Sequence, residues 1–253
     1  MRPIIFNNTF ISDKDKIFSS YRQNSSVFFE CLKSQSNSFN AHQFQLYRDN
    51  FLYRTRNTLG CVEKLVRATK INHDAFSQEY AEKNYEDEMG NGWKSHQELL
   101  QDSHSIHSEI VFKIPRILLE DVDLSPFILE ATKSFSDIQN KLYSDDRYIV
   151  VLATSYAQES VAQEMLSYIY NYLFKPYEGV YAGKGCLNEF EYVSSYFLCH
   201  TNGLEEKHAE HAETCLIQNC KSYDDYSLAV QSIKTFLDAQ QLIWIELTRR
   251  MNK

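Results

Sequence analysis

Chain breakers are scarce in this sequence: seven glycines and four prolines fall among 253 residues, and they are unevenly spread. Between the breaks marked by Pro115, Pro126 and Pro176, apolar residues recur at steps of three and four, the period of a helix. From Ile149 to Phe174 the positions Leu152, Tyr156, Ala162, Leu166, Ile169 and Leu173 describe one helical face. From Tyr223 to Met251, Leu228, Ile233, Phe236, Leu237, Ile243, Ile245 and Leu247 describe another. Shorter helical stretches are predicted over Phe39–Thr69, Asp74–Met89, Ser95–Leu118, Ser125–Leu142, Asn188–His200 and Leu204–Asn219. Runs of β-branched residues are few, and Asn91-Gly92 and Asn202-Gly203 sit between helical stretches rather than between strands. The predicted fold class is therefore all-α, one bundle of about seven to eight helices. It spans residues 39–253 and follows a polar, serine-rich N-terminal lead-in over residues 1–38.

A core is affordable, since 43% of the residues are hydrophobic, and a 24% charged share argues against disorder. The net charge of −8 argues against a nucleic-acid partner. No run of about 18 apolar residues occurs, so no membrane association is expected, and the first residues lack the apolar stretch of a signal peptide. The six cysteines include no CxxC pair, which reads as reduced thiols and a cytoplasmic location.

Six of the seven glycines cluster at Gly90 and Gly92, at Gly179, Gly183 and Gly185, and at Gly203. The first and last groups adjoin residues that can carry chemistry. Glu159 lies on the apolar face between Tyr156 and Ala162, where a carboxylate either reaches the rim or must be paired or bound to metal. His200 ends a similar apolar series, Phe190, Val193 and Phe197, and Glu205 and His208 follow on one helical face. On an ideal helix His200 and Glu205 stand about 140° apart, so they converge only across a π-bulge or a break, which Thr201-Asn202-Gly203 permits. Glu88 and His96 would lie about 12 Å apart on an unbroken helix, and Gly90 and Gly92 can instead turn the chain back on itself. Three carboxylates (Glu88, Glu159, Glu205) and three histidines (His96, His200, His208) thus come from three helical regions, the donor types with which helical bundles hold two irons.

This pattern resembles the heme-oxygenase-like diiron oxidases and oxygenases. That superfamily shares its bundle with heme oxygenase, TenA proteins and pyrroloquinoline-quinone synthase, and includes the chlamydial death-domain-associated protein. Asp87-Glu88-Met89-Gly90-Asn91-Gly92 through His96 is similar to its first motif, Tyr156-Ala157-Gln158-Glu159 to its second, and His200 through Glu210 to its third. The third departs by carrying glutamate at Glu205 for aspartate and one extra residue before it, which brings His211 forward as a substitute for His200. The stretch from Glu159 to His200 is also longer than in the family, with Gly179, Gly183 and Gly185 marking an inserted loop. The resemblance implies a heme-oxygenase-like fold and metal ligation by Glu88, His96, Glu159, His200, Glu205 and His208, with Glu63 as an extra carboxylate. It further implies two Fe(II), with Mn also suited, O2 as co-substrate, an external reductant and a small-molecule substrate: an amino acid, a fatty acid or an aromatic amine. No side chain is assigned as catalytic, and a homodimer is compatible with the family.

Other groups read more plainly. His104 and His107 fall in a polar stretch and are expected on a solvated helix face. Cys199, about 100° around the helix from His200, is expected to face elsewhere. The competing functional classes are a metal-free TenA-like or quinone-synthase-like enzyme and a non-catalytic helical binding protein.

Overall fold

The computed structural model describes the backbone of residues 3–201 and 203–253, and the side chains of residues 12–201, 203 and 206–253. All regular structure among the described residues is helical, and no strand occurs among them. The helices are α1 (Pro3–Ser34), α2 (Ala41–Thr55), α3 (Thr58–Ile71), α4 (Ala75–Glu88), α5 (His96–His107) and α6 (Glu130–Tyr143). They continue as α7 (Tyr148–Ile169), α8 (Glu178–Gly183), α9 (Leu187–Thr201), α10 (Leu204–Asn219) and α11 (Tyr223–Met251).

Local chemistry fixes many of the starts. Asn40 with Gln43, Ser95 with Glu98 and Ser222 with Asp225 form reciprocal capping boxes at α2, α5 and α11. The Phe39–Thr69 stretch divides at Arg56-Asn57 into α2 and α3, where the Asn57 amide donates to Ser136 Oγ of α6 at 2.9 Å. The Ser95–Leu118 stretch stops early, in a π-helical turn over Ser108–Phe112 and a left-handed Lys113, φ 60°, ahead of Pro115. The glycine-rich segment expected as an inserted loop is a 3-10 turn running directly into α8.

At the centre stands α7, with α1, α3, α6, α9, α10 and α11 packed around it. Every residue from Ile149 to Glu159 is buried, the signature of a helix with no solvent face. The opening segment does more than lead in. Phe28 and Leu32 of α1 are fully buried, and Phe28 stacks on Trp244 of α11 with centroids 4.9 Å apart. Long connections are pinned by buried polar groups. Arg48 donates to Pro115 O at 2.8 Å and pairs with Asp49, while the Asn50 side chain bonds Phe127 O and Leu129 N.

The expectation for His104 and His107 is corrected. Both are fully buried. His104 bridges Tyr47 Oη and Leu100 O, and His107 meets Tyr181 Oη at 2.9 Å inside a cage that includes Phe44 and Phe174. The neighbouring serines misled the reading, because Ser105 and Ser108 turn their hydroxyls onto the backbone and are buried as well. Burial, the dominant cause, pulls both imidazoles from 6.5 down to about 3.

Between those two values the unfolded chain holds protons that the folded chain refuses, so stability is full above about pH 6.5 and is lost as pH falls toward 3. His107→Phe, a ring-for-ring replacement, is expected to move the acid-unfolding midpoint to lower pH. Urea unfolding at several pH values checks this, and an unchanged pH slope would mean that His107 titrates alike in both states.

Candidate metal centre

The turn between α4 and α5 is a run of left-handed residues, Gly90 (φ 85°), Asn91 (φ 49°) and Gly92 (φ 89°). At Gly90 the geometry admits no side chain, since a Cβ would sit 2.1 Å from Lys94 O. Lys94 anchors the far side by donating to Asp102 at 2.8 Å and to the Tyr192 hydroxyl of α9 at 2.6 Å. The chain therefore reverses, and α5 begins with His96 beside the end of α4. His96 Nδ1 lies 3.6 Å from Glu88 Oε2.

The last turns of α4 present Asn84, Asp87 and Glu88 on one face, positions i, i+3 and i+4. Asn84 donates to Glu159 of α7 at 3.1 Å, and Asp87 Oδ2 meets His208 Nε2 of α10 at 3.1 Å. From α9, His200 packs beside His96 with ring centroids 4.4 Å apart and the planes tilted by 53°. Its Nδ1 approaches Tyr196 O at 2.5 Å, which places the proton on Nδ1 and the lone pair on Nε2. Cys199 is turned inward too. Its Sγ lies 3.2 Å from His200 Nδ1 and 3.8 Å from His96 Nε2, which corrects the expectation that it faces away. Helix α9 runs unbroken through Thr201, so both neighbours reach the cluster from within a regular helix, Cys199 half-buried and His200 buried.

Glu88, His96, Glu159 and His200 line one cavity of about 50 Å³, and His208 closes the cluster through Asp87. Glu159, His200 and His208 are each less than a tenth exposed. The chain crosses from His200 to Glu205 by a break rather than a π-bulge: α9 ends at Thr201 and α10 starts at Leu204. The Glu205 side chain lies outside the described residues. Two calls fall away from the cavity. His211 is solvent-exposed, with its ring against Tyr80. Glu63 is exposed and accepts from Tyr85 Oη at 3.4 Å.

Electrostatics bind the cluster together. Burial opposes ionisation of Glu88, but His96 first, and then His200 and His208, outweigh it and lower the carboxyl. Burial likewise opposes the Cys199 thiolate, and hydrogen bonds from His200 and His96 bring it down to about 6. The thiolate and Glu88 in turn overcome burial at His96 and raise it to about 10.

The donor set fits a metal. His96 Nδ1 is buried and makes no hydrogen bond, although a carboxylate oxygen stands 3.6 Å off. At 3.6 Å the two atoms stand beyond an ordinary hydrogen bond of about 3 Å, yet near enough for one ion to reach both. The donor atoms of His96, Cys199 and His200 all fall within 4.8 Å of one another. Asn84 is not read from the sequence at all, Asp87 is quoted there only as part of the first motif, and Cys199 is expected to face elsewhere. The first two carry a signal, their shared face with Glu88, whereas the signal for Cys199, its place next to His200, points the wrong way on a helical wheel.

No protein-family model matches the chain, and no curated protein matches it. Solved structures do. A CADD-like protein of unknown function from Nostoc punctiforme matches with a TM-score of 0.71 at 16% identity, over 97% of this chain and 99% of that one. A TenA homolog from Pseudomonas syringae gives 0.71 at 12% identity, over 93% and 92%. A domain with a heme oxygenase-like fold from Shewanella denitrificans gives 0.61 at 17% identity, over 94% and 91%. The chain has the heme-oxygenase-like fold.

Gly90→Ala is expected to cost about 2 kcal/mol or more, from strain and the clash with Lys94 O. Gly60→Ala, inside α3 with nothing within 4 Å of the new methyl, is expected to add about 0.5–1 kcal/mol. Urea denaturation of both variants checks the pair, and equal effects would contradict the geometry of the turn.

Proposed function

We propose that the chain is a non-heme diiron oxidase or oxygenase acting on a small molecule. The observation that carries this reading is the convergence of Glu88, His96, Glu159 and His200 on one cavity, from α4, α5, α7 and α9. His208 and Glu205 of α10 complete the proposed ligand set. Buried carboxylates and imidazoles at this density need a compensating charge, and two Fe(II) ions supply it. Manganese suits the same donors. When bound, the ion pair supplies the electrons that reduce O2, and an external reductant restores them.

The chain's own residues do the rest. Glu88 and Glu159 supply negative charge, and Asn84 fixes the Glu159 carboxylate by donating to it at 3.1 Å. Tyr196 O orients His200, and Asp87 orients His208, the carboxylate–histidine arrangement that raises ligand basicity. Leu100, Met165 and Leu166 form the apolar part of the wall and limit water. The proposed reaction partners are O2 and a small organic substrate. No helix among the described residues is long and apolar enough to cross a membrane.

A second reading, a metal-free TenA-like enzyme, is favoured by one observation, the Cys199 thiol held between two imidazoles. The cavity lining includes His96 and His200 but not Cys199, so a substrate in that cavity would not meet the sulfur directly.

Anaerobic loading with Fe(II) is expected to give about two irons per chain, with sharp loss in Glu88→Ala and His208→Ala. Cys199→Ser is expected to retain the iron. Metal analysis after gel filtration reads both, and a wild type that retains no metal at any loading would sink the diiron reading in favour of the thiol enzyme.

A further inference from the structure

The cavity has a second wall, and it carries a cation. Arg54, on the last turn of α2, lines the same space as Glu88, His96, Glu159 and His200, and is only 5% exposed. Its Nη2 donates to Gln240 Oε1 at 2.7 Å and its Nη1 to Thr55 Oγ1 at 3.3 Å. Its Nε is buried and has no acceptor. The Phe135 ring packs against the guanidinium at 5.3 Å. Gln240 is itself held by donating to the Tyr21 hydroxyl at 2.6 Å, so the positioning contacts are all neutral.

This fold pairs a buried guanidinium when it only needs structure: Arg48, equally buried, has Asp49 at 2.7 Å. Arg54 has no ion-pair partner among the described residues, and the groups that favour its charge electrostatically are the phenols of Tyr21, Tyr196 and Tyr47. Its place on the last turn of α2, at the negative end of the helix dipole, offsets only part of the burial cost. The remainder calls for an anion. A guanidinium offers parallel N–H donors that match a carboxylate, and the unsatisfied Nε–H is one of them.

We infer that Arg54 anchors the carboxylate of a small organic acid, with amino acids in that class, whose body then lies against Glu88, His96, Glu159 and His200. The inference rests on the reading of this cavity as the reaction site and narrows its substrate class. A cavity of about 50 Å³ leaves no room for a long acyl chain. Thr58 also borders the cavity.

The test compares acids with their uncharged or cationic amides on the full chain, metal-free and after anaerobic Fe(II) loading. Propionate, benzoate and L-alanine are titrated against propionamide, benzamide and L-alaninamide by ligand-observed NMR, with iron per chain measured on the same samples. Acids are expected to bind about tenfold or more tighter than amides in both forms. Arg54→Gln is expected to abolish that preference while leaving iron content unchanged, and Arg54→Lys to keep part of it. Equal binding of acid and amide by the wild type overturns the proposal without any variant having to fold. So does an acid preference that appears only with iron and survives Arg54→Gln, which would mean direct coordination to the metal. Acid selectivity in a wild type that takes up no iron supports the anchor and sinks the diiron reading.

Discussion

A helix surrounded on every side has nowhere to send a charge. From Ile149 to Glu159 helix α7 is buried throughout, so Glu159 cannot escape to water, and its neighbours must answer it. The answer comes from Asn84 of α4, which also places Asp87 and Glu88 on the face that meets α5 and α10. The packing of α7 thus selects which face of α4 turns inward, and the polar groups of that face become a site. Core packing and chemistry are one constraint here rather than two.

The resulting cluster holds opposite charges in near contact. Glu88, His96 and the Cys199 thiol are each shifted in the direction that favours the ion over the neutral group, against the burial that opposes all three. Such a balance is expensive to keep in a dry interior unless something else occupies its centre. Elsewhere the same protein buries histidines without that expense. His104 and His107 are neutral, each satisfied at Nδ1, and enclosed by aromatic rings. The contrast separates histidines that pack from histidines that face carboxylates.

Much of this was legible in the residues. The scarcity of breakers and the three-and-four periodicity gave the all-α class, and Leu204–Asn219 and Tyr223–Met251 match the observed helices end to end. The turn at Gly90 and Gly92 was readable because only glycine relieves the clash that reversal creates there. What stayed hidden depended on partners distant in sequence. His104 and His107 look solvated among serines, since the string does not show the Ser105 and Ser108 hydroxyls turning onto backbone carbonyls at Ile117 and His104. Cys199 looks misdirected because a step of about 100° does not show that two adjacent side chains can both reach His96 once α5 packs against α9. The division of Phe39–Thr69 was invisible because Arg56-Asn57 carries neither glycine nor proline. Arg54 gives no signal in the string, because a lone arginine at a helix end is ordinary until it is seen buried without an ion pair among the described residues.

The cluster is also long in chain terms. Cys199 meets His96 across 103 residues, and His208 meets Asp87 across 121. Contacts so far apart carry a loop-closure cost that has to be met before they stabilise anything, so they form late on the folding path. The donors converge only after α10 has docked, yet the core that aligns them is built from aromatic and aliphatic packing that needs no ion. A cation would therefore arrive at a chain already folded, unlike the small domains whose metal is their nucleus. Its entry must pass the walls of a finished bundle, which makes acquisition a question of breathing motions and access rather than of folding.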